Sequence, residues 1–322
     1  KKKKKKKKIF FSKMSESVLI FLVDNGSVFR PSIDNLLHVA SLLENAIGRK
    51  VIGVSCGFSD SVGGKLLAQE LDKLLHESIN GDSEQLIGLR IIVVPFCISP
   101  GAVVQKMKRQ LVSRGIYSPG PLIENSSSNS SDRIKQKGIS VVGRALYEEG
   151  SLDLRIAEIA FERIEELIQR EKIKNAIVIV VDHGSPQLQM ARIRNCISGQ
   201  ISMLLAKCWK LDEDLKPTSC YAASMERREG KEYQFGDPLL ENLLVVEPFR
   251  SSNVIISMLF LSPGRHAGEN GDIQQICEQA KNQNSSSFNY YLTDLLGTHS
   301  KVIDILKDNY LEAQQQLLQL GT

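Results

Sequence analysis

No two of the six cysteines form a Cys-x-x-Cys pair; Cys56, Cys97, Cys196, Cys208, Cys220 and Cys277 are scattered along the chain. That spacing argues against a disulfide framework and a cysteine-based zinc or iron–sulfur centre, and it fits a reducing compartment. Long apolar runs are missing too. None approaches the ~18 residues that a membrane-spanning helix requires. Nothing ahead of Val18 resembles a secretory leader, and the stretch is short for a transit peptide. No Gly-x-Ser-x-Gly elbow surrounds Ser185, which argues against a hydrolase even though Gly184, Ser185 and Pro186 follow a strand-like run.

The net positive charge disappears once one segment is set aside. Lys1 to Lys8 carry +8 of a formal net charge of +4, which leaves the rest of the chain at −4. A lysine block of this kind reads as a disordered basic tail, here residues 1–17, rather than a nucleic-acid site. Met14 is the expected start, with Lys1 to Lys13 an upstream extension. Hydrophobic content of 42% and charged content of 24% describe an ordinary globular protein. The 322 residues suffice for two domains.

What the chain does contain is an internal repeat. VLIFLVDNGSVF from Val18 matches AIVIVVDHGSPQ from Ala176, aligning Asn25 with His183. IIVVPFCISPGAV from Ile91 matches VIISMLFLSPGRH from Val254, aligning Val103 with His266. A third pair of similar segments closes each copy. Each copy alternates short apolar runs with helical stripes. The strands are expected near Val18–Val23, Val51–Cys56, Arg90–Cys97 and Ile139–Arg144, then Ala176–Val181, Ser219–Ser224, Val254–Leu261 and Phe288–Leu292. Ile33, Leu36, Leu37, Ala40, Leu43 and Ile47 form one apolar helical stripe; Ile156, Ile159, Ala160, Ile164 and Leu167 form another. Such alternation predicts an α/β fold of parallel sheets with helices on both faces. Gly115 to Gly138 and Asn282 to Ser287 read as loop insertions. The domain boundary is expected near Gln169 to Asn175.

Ligands of open α/β sheets bind beyond the carboxyl ends of the strands. Three residues of the second copy stand there: His183, Glu226 and His266. Two imidazoles and a carboxylate suit a borderline divalent metal with open positions and proton transfer near neutral pH. Gly184 and Gly264 permit tight turns and close ligand approach. A lone histidine is more often structural than a ligand, and Glu226 with Arg227, Arg228 and Glu229 could be a solvated helix start. His38 and His76 read as structural or surface residues, and His299 as a helix start. The first copy keeps Asp24, Gly26, Ser27, Pro100 and Gly101 but has Asn25 and Val103 in place of the histidines. Its CGFSDS segment offers Asp60 and no matching Glu. One site, in the second copy, is expected.

The segments DHGSP, SMERREGKEYQFGDPLLENLL, FLSPGRHAGENGDI and LGTHSKVIDIL resemble the two-domain sirohydrochlorin cobalto/ferrochelatases of the chelatase superfamily. The resemblance covers most of Ala176 to Leu318, and PGRHAGENGDI carries it most specifically; the first copy resembles the family in outline. It implies two tandem chelatase-like parallel-sheet domains: 18–172, with a degenerate site, and 173–322, with the active site. It implies ATP-independent insertion of Fe²⁺ or Co²⁺ into sirohydrochlorin, in siroheme or cobalamin-type biosynthesis, with the metal as substrate and no nucleotide. The paired histidines of the family map to His183 and His266, as metal ligands and catalytic groups; many relatives keep theirs in the first copy. Glu226 would complete the metal site or relay protons. Ser185, Gly264, Arg265, Arg227 and Arg228 are the expected substrate-binding set, and Arg192 is a further candidate clamp for the carboxylates. A metal or tetrapyrrole delivery protein is the alternative. The partner implied is a tetrapyrrole, with no nucleic acid and no membrane span. The expected form is a monomer of two pseudo-symmetric halves, cytoplasmic or alternatively plastid.

Overall fold

The computed structural model describes residues 18–79, 89–117, 138–283 and 287–320. The expected basic tail and most of the Gly115–Gly138 insertion fall outside them. The chain forms two compact units: residues 1–145 with 306–322, and residues 146–305.

In the first unit the elements run β1 (Val18–Asp24), α1 (Arg30–Ile47), β2 (Ile52–Ser55), α2 (Leu67–Ile79), β3 (Leu89–Pro95), α3 (Gly101–Val112), β4 (Ile116–Tyr117) and β5 (Gly138–Val142). The strands pair in parallel in the order β2-β1-β3-β5-β4. Burial alternates across the sheet as strand geometry requires. Phe21, Val23, Ile91 and Val93 share one core with Leu67 and Leu71 of α2 and Met107 and Leu111 of α3. Ile20, Leu22 and Ile92, which point the other way, are equally buried. Both faces are thus covered, which is why these strands read as continuous apolar runs.

The second unit repeats the plan: α4 (Arg155–Glu171), β6 (Ala176–Asp182), α5 (Leu188–Lys207), β7 (Ser219–Ser224), α6 (Leu240–Leu244), β8 (Asn253–Met258), α7 (Asp272–Gln283) and β9 (Asn289–Leu292). Its parallel order is β7-β6-β8-β9. Ile177, Ile179, Val181, Val254 and Ile256 pack with α6 and α7, while α4 and α5 pack together on the opposite face.

The boundary differs from the sequence expectation near Gln169–Asn175. The division falls between Ala145 and Leu146, so α4 belongs to the second unit. In return the last helix, α8 (Ser300–Leu320), starts in the second unit and continues from Leu306 as part of the first. Leu306, Tyr310, Ala313 and Leu317 are each 2% exposed or less. Asn309 donates to the carbonyls of Arg144 and Ala145, and Arg90 donates to the Leu317 carbonyl at 2.9 Å. An apolar helical stripe states that a helix must be covered, not which sheet covers it. Three smaller corrections follow. β8 ends at Met258 rather than Leu261, Asn282 lies within α7, and residues 116–117 form the short strand β4.

Candidate metal centre

The site is built from the ends of β6, β7 and β8. Beyond β6 and β7 the backbone ladder continues: Met225 N–H donates to the Asp182 carbonyl (2.8 Å) and Glu226 N–H to the His183 carbonyl (3.2 Å). Gly184 makes this approach possible. Its φ is +93°, and a Cβ there would lie 1.8 Å from the Glu226 carbonyl oxygen, a position closed to any other residue. The fold thereby sets Glu226 beside His183. His266 arrives on the loop between β8 and α7. That loop closes on itself through Gly268 N–H to the Gly264 carbonyl (2.8 Å), Asp272 N–H to the Arg265 carbonyl (3.1 Å) and Ile273 N–H to the His266 carbonyl (3.1 Å). A Cβ on Gly271 would meet the carbonyl oxygens of Arg265, Gly268 and His266, each at 2.8 Å.

The two imidazoles meet nearly at right angles, with Nε2 atoms 3.1 Å apart. Glu226 Oε1 is 3.5 Å from His183 Nε2. On the far sides of the rings, His183 Nδ1 lies 3.0 Å from the Gly184 carbonyl oxygen and His266 Nδ1 lies 2.7 Å from Asp272 Oδ2. Arg265 Nε is 3.5 Å from the same carboxylate oxygen. Side-chain exposures of 45% for His183 and 61% for Glu226 leave the site open to an incoming ligand. Among the described residues no group of three or more His, Cys, Asp or Glu side chains is arranged to hold a metal ion. What the geometry offers is two nitrogens facing each other with one carboxylate beside them, an open set rather than a closed cage.

Beneath it lies a buried charge network. Arg194, from the middle of α5 and 1% exposed, reaches Asp182 Oδ1 at 3.5 Å, the Gly236 carbonyl at 3.2 Å and the Ser224 hydroxyl. Burial pushes the Asp182 carboxyl up, and the Arg194 guanidinium opposes that shift. One guanidinium thus ties β6, β7 and the loop after β7 together directly below His183.

The structure brings His183, His266 and Glu226 together, with Glu226 in a loop rather than at a helix start. The other expected residues are dispersed in role. Ser185 Oγ accepts from Gln187 N–H, shaping the turn into α5. Arg227 donates to Asp237 Oδ1 at 2.7 Å, Arg228 lies 5.9 Å from the Tyr233 ring centre, and Arg192 pairs with Glu149 at 3.1 Å. The Arg265 side chain is 74% exposed. His38 and His76 are exposed on α1 and α2. His299 stands just ahead of α8, where its Nδ1 accepts from Lys301 N–H and its Nε2 faces Glu162 at 3.0 Å. Burial and the nearby Arg163 cation lower its pKa. Asp272 and Arg194 carry no signal of the kind sought in the sequence. The first copy offered one for Arg194, since Leu36 stands at its place.

The first unit keeps one of the two turns. Gly26 has φ +94°, and a Cβ there would lie 1.7 Å from the Gly57 carbonyl oxygen, so Gly57 holds the place of Glu226. The expectation that the Pro100–Gly101 turn is also kept is corrected. There α3 begins at once at Gly101, and Val103 packs on the core; after Gly264 the chain makes a loop and the helix waits until Asp272.

Residues 230–313 match the CbiX family model. SirB from Bacillus subtilis, solved with Fe³⁺, superposes with a TM-score of 0.60 at 12% identity, over 94% of this chain and 98% of that one. The tandem fold here is the chelatase fold. A second solved structure, DR2241 from Deinococcus radiodurans, is described as a multi-domain protein with structural similarity to chelatases and two additional novel domains. It gives a TM-score of 0.54 at 15% identity over 92% of this chain and 55% of that one. No curated protein sequence matches the chain. The CbiX match covers α6, β8, α7, β9 and most of α8, and so includes His266 and Asp272 but not His183 or Glu226. Match and fold together support a metal-chelatase role. No helix among the described residues is long and apolar enough to cross a membrane.

Proposed function

We propose that the chain inserts a divalent metal, Fe²⁺ or Co²⁺, into sirohydrochlorin or a related polycarboxylate tetrapyrrole, without ATP, at His183, His266 and Glu226. The observation that carries this reading is the 3.1 Å separation of the two Nε2 atoms. Two imidazoles bound to one ion through bonds of about 2.1 Å stand roughly 3.0 Å apart at a right angle and roughly 3.4 Å apart at a tetrahedral angle. The pair is thus spaced to hold a single metal between them.

The chemistry fits the substrate. As the metal enters the ring, two pyrrolic protons leave, so the site must give up a cation and take up protons. Neutral imidazole does the second once it has released the first. Glu226, at the solvent side, is placed to pass protons on or to hold the hydrated ion. The substrate's carboxylates suit guanidinium partners, and Arg265 is the exposed guanidinium on the His266 loop. The Fe³⁺ in the SirB structure makes iron the first metal to test.

The test is incubation of the protein with sirohydrochlorin and Fe²⁺, Co²⁺ or Ni²⁺ in turn, followed by absorbance. Product in excess of enzyme establishes catalysis. Product limited to one equivalent makes the chain a delivery protein, and no spectral change with any metal ends the chelatase reading.

A further inference from the structure

We infer that Asp272 is a positioning residue that holds His266 in the tautomer with its proton on Nδ1, so that the bare Nε2 faces His183. This rests on the metal-seat reading of the site and deepens it. Each ring is pinned on its far side by a group that can only accept. A backbone carbonyl has no proton to give, so the 3.0 Å contact between His183 Nδ1 and the Gly184 oxygen requires an Nδ1–H. An ionised carboxylate is likewise acceptor-only, so the 2.7 Å contact between His266 Nδ1 and Asp272 Oδ2 requires the same. With both Nδ1 atoms committed as donors, both neutral rings present lone pairs at Nε2. These are the two atoms that stand 3.1 Å apart. Facing lone pairs repel across that gap; a cation between them turns the repulsion into two bonds.

The placement of Asp272 is itself fixed. Its N–H is held by the Arg265 carbonyl, the next N–H by the His266 carbonyl, and Gly271 lets the loop fold tightly enough for both. Arg265 Nε lies 3.5 Å from the same Oδ2, a second contact that fixes where the carboxylate stands. A partner of this kind orients an imidazole and raises its basicity toward a metal, and its loss typically weakens metal binding 10- to 100-fold. His183 needs no such side chain, because its anchor is the backbone of the next residue.

The experiment reads the tautomer and the metal separately. In metal-free wild-type protein, long-range ¹H–¹⁵N correlation spectra should show His266 Nδ1 protonated and Nε2 bare. Asp272→Ala should lose that preference and bind Co²⁺ alone roughly 10- to 100-fold more weakly by titration. Asp272→Asn, whose amide oxygen can accept the Nδ1 proton, should keep the tautomer and recover most of the Co²⁺ affinity. A proton on His266 Nε2 in the wild type, or wild-type Co²⁺ affinity in Asp272→Ala, overturns the inference. So does an Asp272→Asn protein that keeps the tautomer yet binds as poorly as the alanine variant. Should metal insertion itself fail while these results hold, the functional reading falls and the role of Asp272 stands.

Discussion

Arg194 Nη1 lies 3.5 Å from Oδ1 of Asp182, the last residue of β6 and the one before His183, and the same two positions of the first unit hold Leu36 and Asp24. The guanidinium was lost from, or never present in, the copy without histidines, and its aspartate is left in the core. Asp24 is 9% exposed, its Oδ1 has no hydrogen-bond partner, and burial pushes its carboxyl from the ordinary 3.8 up to about 6, against a hydrogen bond from Ser55.

Removing the guanidinium should hurt. Arg194→Leu leaves Asp182 buried and uncompensated, and breaking a buried pair from one side costs about 3–5 kcal/mol. The loss should be largest near neutral pH and shrink in acid, where Asp182 takes up a proton. Adding Asp182→Asn should recover much of it. Urea unfolding at pH 5 and pH 8 measures both; equal losses at the two pH values would show that packing, not charge, is at stake.

The opposite sign is expected in the first unit. Folding raises the pKa of Asp24, so its neutral form is favoured in the native state, and that contribution fades as pH climbs from about 4 through about 6. A displacement from 3.8 to about 6 corresponds to roughly 3 kcal/mol. Asp24→Asn should therefore stabilise the protein at pH 7.5 and make little difference at pH 4. Calorimetric scans across that range would show the gap opening; a gap that stays constant with pH removes ionisation as its cause.

At the histidines, function should change while folding does not. His183→Ala and His266→Ala each remove one of two facing ligands from an open site. An exposed position such as His183 shifts stability by about 0.5 kcal/mol or less, and half-buried His266, held by Asp272, should cost somewhat more without unfolding the chain. Each variant should lose metal insertion strongly and keep tetrapyrrole binding. The double variant should be little worse than the worse single one, since the pair acts as a unit. Independent, multiplicative losses would instead assign metal delivery and proton removal to separate rings.

Rebuilding the site in the first unit should fail. Asn25→His has a matching turn, but Val103→His places its imidazole on α3 against the core, with no loop to bring it across. Calorimetric titration with Co²⁺ should therefore show no second binding site in the double variant; a second site of comparable affinity would mean that helix yields easily.

The strands were legible because buried parallel strands leave unbroken apolar runs, and the meeting of His183, Glu226 and His266 was legible because the strand ends of one sheet converge. The runs Val18–Val23 and Ala176–Val181 announced themselves, and each strand extends one residue further, to Asp24 and Asp182. The partners of these residues were hidden. Asp272 follows His266 by six residues in a loop without periodicity, and only the folded loop returns it to the ring. Arg194 sits in a helix where a lone arginine ordinarily reads as solvated. The allegiance of α4 was invisible for a different reason: the apolar stripe from Ile156 to Leu167 fits either sheet equally well, and the choice is made by packing on α5 and β8.

The passage of α8 from one unit to the other sets an order of events during synthesis. Every strand of the first unit, with α1 to α3, has left the ribosome long before Leu306 is made, yet the residues that seal its core include Leu306, Tyr310, Ala313 and Leu317. Until they arrive, the part of the first unit's core that these residues seal stands open, a state prone to sticking to its neighbours. The half made first is thus the half completed last, and the waiting time is the time needed to translate the half that carries the histidines.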